Sequence, residues 1–310
     1  MYTRAIIIKS IVFITIFFIL LNVFIIKNNP YLHEEIRYHT QIRNIAKSKA
    51  KYLILGDSQA AVIPKDYLNN DFYNMAFGSD GINEMYIKLL YALEHNHNIK
   101  AVLLNCSYNI FAESRKITNN KLFIKPFTPP HIYEQLYHEP YSKGILIDTI
   151  TKYPPFNPNI YVFTRKKIFK IIKNIIQKPE YSLKQGEKSW ANLPEGKRRE
   201  LAEQRTKDTL TNIIIPEFVK TLKKTVALCK DKSIQIIGIR YPFSKDYMKA
   251  ASNYNIKKVN GIIKKIPFDY FLNYENLCQD KKYFINQDHL SPYGLKLVVN
   301  RLFQDLRNLK

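Results

Sequence analysis

Two short stretches carry side chains whose types could do chemistry. In KYLILGDSQAAVIP, Lys51 to Pro64, an apolar run climbs straight into Gly-Asp-Ser. In YFINQDHLSPYGLKLVVNRLF, Tyr283 to Phe303, His289 follows a short apolar piece and precedes Ser-Pro. A serine hydroxyl is a weak nucleophile until an adjacent base takes its proton. An imidazole can take that proton and return it to a leaving group. Ser58 and His289 are the types such a pair needs. The plainer reading of Gly-Asp-Ser is a turn, because these residues supply turn conformations and local hydrogen bonds. On that reading Asp57 is a turn-stabilising carboxylate, the role favoured for it here. The elements around the two stretches must decide whether Ser58 and His289 can meet.

Those elements alternate. KYLILGDS reads as a buried strand, Lys51 to Leu55, ending in a turn. DFYNMAFGSDG reads as a short strand entering a glycine turn. GINEMYIKLLYALEH places Ile82, Tyr86, Leu89, Leu90 and Leu93 at helical spacing. IKAVLLNCS is a continuous apolar run, as in a strand covered on both faces. Downstream, Pro216 to Pro242 repeats the pattern, with an amphipathic helix, a short turn and a strand from Ile234 to Ile239. Ser291 and Pro292 read as the N-cap and first residue of a last helix, which buries Leu295, Val298, Val299, Leu302 and Phe303. Alternating strands and helices predict an α/β fold, a mostly parallel sheet sandwiched by helices. In such sheets, sites form outside the carboxyl ends of the strands. Ser58 ends an early strand and His289 follows the last one, so both belong at the same edge.

The Gly-Asp-Ser after the first strand, the glycine turn after the second and DHLSPYG before a final helix resemble the SGNH (GDSL-type) hydrolase superfamily. More narrowly, they resemble its membrane-anchored bacterial branch of envelope esterases and O-acyltransferases. The resemblance covers residues 51–111 and about 211–310. It implies a flavodoxin-like sheet, no cofactor and no metal. It further implies that Ser58 is the nucleophile, that His289 is the general base, and that Gly78 and Ser58 offer backbone N–H groups to an oxyanion. The family's third donor is an asparagine in a Gly-x-Asn turn. Here that place reads Ser107-Tyr108-Asn109, which makes Asn109 the candidate although the glycine is missing. The family's acid stands three residues before the histidine, where this chain has Asn286. Asn286 can orient His289 through its side-chain oxygen. Asp288, the immediate neighbour, is expected to be a poorer geometric substitute, since adjacent side chains on an extended stretch point oppositely. The implied activity is that of a serine esterase or O-acyltransferase working on acyl, above all acetyl, esters of a cell-envelope glycan. The alternative is a non-catalytic assembly or binding protein of the same fold.

The remaining sequence sets the context. The 310 residues, 46% of them hydrophobic, suffice for a sizeable core. The net charge of +22 suits an anionic partner, such as an acidic glycan or membrane lipid, although the Lys-, Asn- and Ile-rich composition accounts for part of it. No nucleic-acid-binding signature accompanies the charge, so nucleic acid is not an expected partner. Cys106, Cys229 and Cys278 show neither metal spacing nor a disulfide framework. Residues 1–27 are expected to form an uncleaved signal anchor. Ile11 to Ile26 runs without a charge, and roughly 20 apolar residues span a bilayer core. Residues 28–50 are expected to be a helical stalk and 51–310 the catalytic domain, on the extracytoplasmic side of the bacterial cytoplasmic membrane. A largely helical insertion is expected at about 112–207. It contains a basic amphipathic stretch, Arg165 to Lys178, that reads as a helix docked on the domain. A membrane-bound acyltransferase is a further expected partner. His95 and His97 read as a solvated helix end, and Trp190 as packing.

Overall fold

The computed structural model describes residues 6, 9–17, 20, 30–116, 120–141, 190–210 and 212–309. The chain divides into two compact units, Met1–Arg37 with Tyr133–Ser182, and Tyr38–Ile132 with Leu183–Lys310. In the first unit, Tyr133 is buried, with its ring 4.7 Å from that of Tyr137 and 5.5 Å from that of Tyr141. The second unit holds the sheet. Among the described residues, no helix is long and apolar enough to cross a membrane. Of the expected span Ile11 to Ile26, residues 11–17 and 20 are helical with exposed side chains, and the remainder lies outside the described residues. So does the basic stretch Arg165 to Lys178.

The described elements, in chain order, are α1 Pro30–Arg43, β1 Tyr52–Leu55, α2 Ser58–Ala61, β2 Phe72–Asn74, α3 Ile82–His95, β3 Ala101–Asn105, α4 Asn120–Ile124, α5 Pro130–Tyr137, α6 Glu195–Thr209, α7 Pro216–Asp231, β4 Gln235–Arg240, α8 Lys245–Ala251, α9 Ile256–Ile263, β5 Tyr270–Asn273 and α10 Pro292–Asn308. The sheet has five strands in the order β2-β1-β3-β4-β5, every pair parallel. Leu55 is level with Leu104, and Asn105 with Ile239, so the carboxyl ends of β1, β3 and β4 form one edge. All five residues of β3 are buried, as helices on both faces of a parallel sheet require.

From β1 the chain steps to β2 on one side, then crosses to β3, β4 and β5 on the other. The order reverses between β1 and β3, which is where ligands bind in open sheets of this kind. The helices form as their sequences dictate. Gly81 caps α3 by donating its backbone N–H to Glu84 Oε2 at 2.9 Å. Ser291 caps α10 by accepting from the Gly294 N–H at 3.4 Å, and Pro292 occupies the first helical position, where no N–H is needed. Leu295, Val298, Val299, Leu302 and Leu306 of α10 then pack into the core.

Two expected boundaries differ. The segment read as a stalk ends inside the domain. Tyr38, Ile42 and Ile45 are fully buried, and Gln41 Nε2 donates to the carbonyls of Asn74 and Ala76 at 2.8 and 3.0 Å. The far end of the expected insertion is likewise part of the domain, because α6 runs past residue 207 and its Arg198 Nε pairs with Asp246 of α8 at 3.0 Å.

Candidate active site

Ser58 is the first residue of α2, three residues beyond the end of β1. The turn that delivers it is tight. A Cβ on Gly56 would stand 2.8 Å from both Ala60 Cβ and Asn105 Cβ, so only glycine lets β1 turn this close to β3. Asp57 is 3% exposed and acts as the N-cap, accepting the Gln59 N–H at 3.0 Å. The same oxygen accepts Asn105 Nδ2 at 2.7 Å, and the other oxygen meets Arg115 Nη2. Every contact of the carboxylate holds the turn, which is the structural role read for it in the sequence. Among the described residues, the Ser58 N–H and hydroxyl make no hydrogen bond.

The histidine sits on a loop closed at its base by an antiparallel bridge between Phe284 and Leu290. The Ile285 N–H donates to the His289 carbonyl at 3.0 Å, and the Ser291 N–H to Tyr283 at 2.8 Å. Inside this loop Asn286 Oδ1 accepts the Asp288 N–H at 3.1 Å and the His289 N–H at 2.9 Å. His289 Nδ1 lies 3.0 Å from Asn286 Oδ1 and 2.9 Å from Asp288 Oδ1. Both neighbours are acceptors, so Nδ1 carries the proton and Nε2 presents its lone pair, the tautomer a general base requires. Asp288 therefore reaches the imidazole as well as Asn286 does, contrary to the expectation that it is a poor substitute. Residues 286–289 form a bend rather than an extended stretch, which lets adjacent side chains converge.

Asp288 is 7% exposed, and its second oxygen accepts Arg205 Nε at 2.7 Å. Burial pushes its pKa upward, but the hydrogen bond and charge of His289 and the Arg205 guanidinium outweigh burial and hold the carboxyl below its ordinary range. The serine and histidine loops touch directly, because Gln59 Nε2 donates to the Asp288 carbonyl at 3.2 Å. The residue after the candidate nucleophile thus holds the residue before the candidate base.

Gly78 follows the extension of β2, where Phe77 N–H donates to the Gly56 carbonyl at 3.1 Å. Its own N–H is unpaired among the described residues, and the space a Cβ would fill is open. Asn109 lies in the turn after β3. Ser107 Oγ donates to Asn109 Oδ1 at 2.6 Å, which orients the amide and leaves Nδ2 without a hydrogen-bond partner among the described residues. The Gly78 and Ser58 N–H groups and Asn109 Nδ2 are therefore uncommitted donors, all on segments leaving the carboxyl ends of adjacent strands.

Beneath the Gly78 turn lies a cluster that sequence reading did not single out. Lys88 and Asp80 are buried and paired at 2.6 Å. Burial drives both toward neutrality, the Asp80 carboxyl up to about 6 and the Lys88 ammonium down, while each charge opposes the other's shift. Gln59, Asn105, Arg115 and Arg205 were also missed. Asn105 did leave a signal, as the one polar residue at the end of an apolar run. Arg205 left none, since it lies on a helix that is polar almost all round.

The other candidates fall away from this edge. Trp190 is 1% exposed and packs in the core, not on a surface that could stack sugar. His95 stacks on Tyr91 with centroids 3.9 Å apart. Cys106, Cys229 and Cys278 are buried, and burial pushes each thiol up to about 12, which makes them poor nucleophiles.

Fold and edge together define a doubly wound α/β protein with a serine, a histidine with two supporting acceptors, and free N–H donors at its switch point. No family model matches the chain, and no curated protein matches it. Among the solved structures it is similar to are three at 12% identity each. One is a protein from Streptococcus pneumonia described as a platelet activating factor, with TM-score 0.44 over 92% of this chain and 97% of that one. Another is an acylhydrolase structure from Bacteroides fragilis, with TM-score 0.37 over 84% and 88%. The third is a GDSL-like lipase structure from Bacteroides thetaiotaomicron, with TM-score 0.39 over 89% and 98%.

Proposed function

We propose that the protein is a serine esterase or O-acyltransferase that acts on acyl esters, chiefly acetyl esters, of a cell-envelope glycan through an acyl-serine intermediate. The observation that carries this reading is the geometry of His289. Two acceptors fix its Nδ1, and its loop is bonded to the residue that follows Ser58. In the reaction His289 Nε2 takes the Ser58 proton as Oγ attacks the acyl carbon. The Ser58 and Gly78 N–H groups and Asn109 Nδ2 receive the negative oxygen, a contribution worth about 3 kcal/mol of barrier for each donor. Asp288 stabilises the imidazolium, which then protonates the departing alcohol. Water or a sugar hydroxyl, activated by the same Nε2, releases the acyl group.

The wider reading includes an N-terminal membrane anchor, a catalytic domain on the extracytoplasmic side and a membrane-bound acyltransferase that delivers acyl groups. The uncharged run from Ile11 to Ile26 and the net charge of +22 support it. The test is acetyl-ester cleavage and acetyl transfer to glycan by the purified protein and by Ser58→Ala. Activity that survives Ser58→Ala would remove the reading. A second reading, a non-catalytic assembly protein, draws on Asn286, which stands where the resembled family has its acid.

A further inference from the structure

Gly78 owes its position to contacts one layer beneath it. Its carbonyl accepts Asn120 Nδ2 at 2.7 Å, and the same nitrogen donates to Asp80 Oδ1 at 2.8 Å. Asp80 Oδ2 takes Lys88 Nζ at 2.6 Å, and that ammonium also donates to the Met75 carbonyl at 2.8 Å, on the strand extension leading to Gly78. Lys88 Nζ lies 4.1 Å from the centre of the Tyr38 ring and 5.6 Å from that of Phe77. Arg115 closes the circuit. Its Nη1 donates to the Asp80 carbonyl at 3.3 Å, while Nη2 meets Asp57, the neighbour of Ser58. One polar chain therefore runs from the residue before the nucleophile to the carbonyl of the oxyanion candidate.

Two features argue that this chain does more than hold the fold. The first is energetic. A fully buried ion pair gains little net stability, because desolvating both charges offsets their attraction, and apolar residues of similar size often serve as well. The second is conformational. Ser79, between Gly78 and Asp80, has φ of 68°, a left-handed conformation that costs a non-glycine residue roughly 1–2 kcal/mol. Such strain persists only where the surroundings over-determine it.

We infer that Asp80, Lys88 and Asn120 are positioning residues for the reaction, and that they hold the Gly78–Ser79 turn so that the Gly78 N–H stays aimed at the developing oxyanion. This rests on the esterase reading above and extends it to residues that never touch substrate. Removing the cluster should lower the rate of the step that develops charge and leave substrate binding unchanged.

The experiment compares wild type with Asn120→Ala and with the double variant Asp80→Asn, Lys88→Met. The second removes both charges of the pair at once, so neither Asp80 nor Lys88 is left as a buried ion without the other. kcat and KM on an acetyl ester, fluorophosphonate labelling of Ser58 and the melting temperature are measured for each. The inference expects kcat to fall about 10-fold or more in both variants, with KM within about 2-fold and cooperative melting retained, as when an interaction made only in the transition state is lost. Folded variants with wild-type kcat would overturn it and leave the esterase reading standing. A wild type that neither cleaves esters nor labels at Ser58 would remove the esterase reading, and the inference with it.

Discussion

At the scale of residues, the question is which group supports His289. Asn286 Oδ1 accepts three N–H groups, two from the backbone and one from the ring, so it shapes the loop as well as the imidazole. Asp288 adds the charge that Asn286 lacks. Asn286→Ala should therefore lower both kcat and stability. Asp288→Asn should lower kcat by about 10- to 100-fold, less than the ~10⁴ seen where the only support of a catalytic histidine is neutralised, since Asn286 still fixes the tautomer. Ester hydrolysis by the two folded variants checks this order. Stability should show the charge as well. The Asp288 carboxyl is held below its ordinary range in the folded chain, so its contribution is present above the unfolded value of about 3.9 and fades as pH falls through the folded value. Wild type should exceed Asp288→Asn in stability at neutral pH, and the two denaturation curves should converge in acid. A gap that stays constant down to acid would contradict this. The contact of Asn286 with His289 was legible because the two sit at a fixed offset in a motif. The equally short contact of Asp288 with the ring was not, since it depends on a backbone bend that residue types alone do not specify.

At the scale of elements, β1 to β4, α3, α7 and α10 were legible from apolar runs and helical spacing, and β1 and β4 moved by one residue, whereas β5, α8 and α9 were not read. Lys51 to Leu55 became Tyr52–Leu55, and Ile234 to Ile239 became Gln235–Arg240. Strand order was not legible, because adjacency in the sheet is decided by packing between distant segments. The same is true of α6, whose polar sequence gave no sign that Arg205 would reach the histidine loop. Two predictions belong here. Gly56→Ala forces a Cβ into contact with Ala60 and Asn105, and should destabilise the fold by about 1–3 kcal/mol while displacing Ser58. Chemical denaturation with a parallel activity assay reads both effects, and an unchanged midpoint would show that the turn has room to spare. Arg205→Gln removes a cation from the Asp288–His289 pair. The second Asp288 oxygen then loses its anchor, so the carboxylate should hold His289 less firmly and kcat on an acetyl ester should fall several-fold with KM little changed. Wild-type kcat in the folded variant would show that Arg205 does not position the pair.

At the scale of the whole molecule, a net charge of +22 predicts long-range attraction to polyanions at low ionic strength. Binding to an acidic glycan should exceed binding to a neutral one of the same length and weaken steeply as salt is raised, because exposed charges are screened within about 10 Å at 0.1 M. Equal binding to both glycans would trace the charge to composition alone. None of this depends on the site, whereas acyl-ester chemistry depends on Ser58. The most direct measurement is therefore labelling of the purified, folded protein with a fluorophosphonate, followed by mass spectrometry of the modified peptide. One adduct is predicted, on Ser58, lost in Ser58→Ala and slowed in His289→Ala. Absence of labelling in folded wild type, or an adduct on another serine, would contradict it.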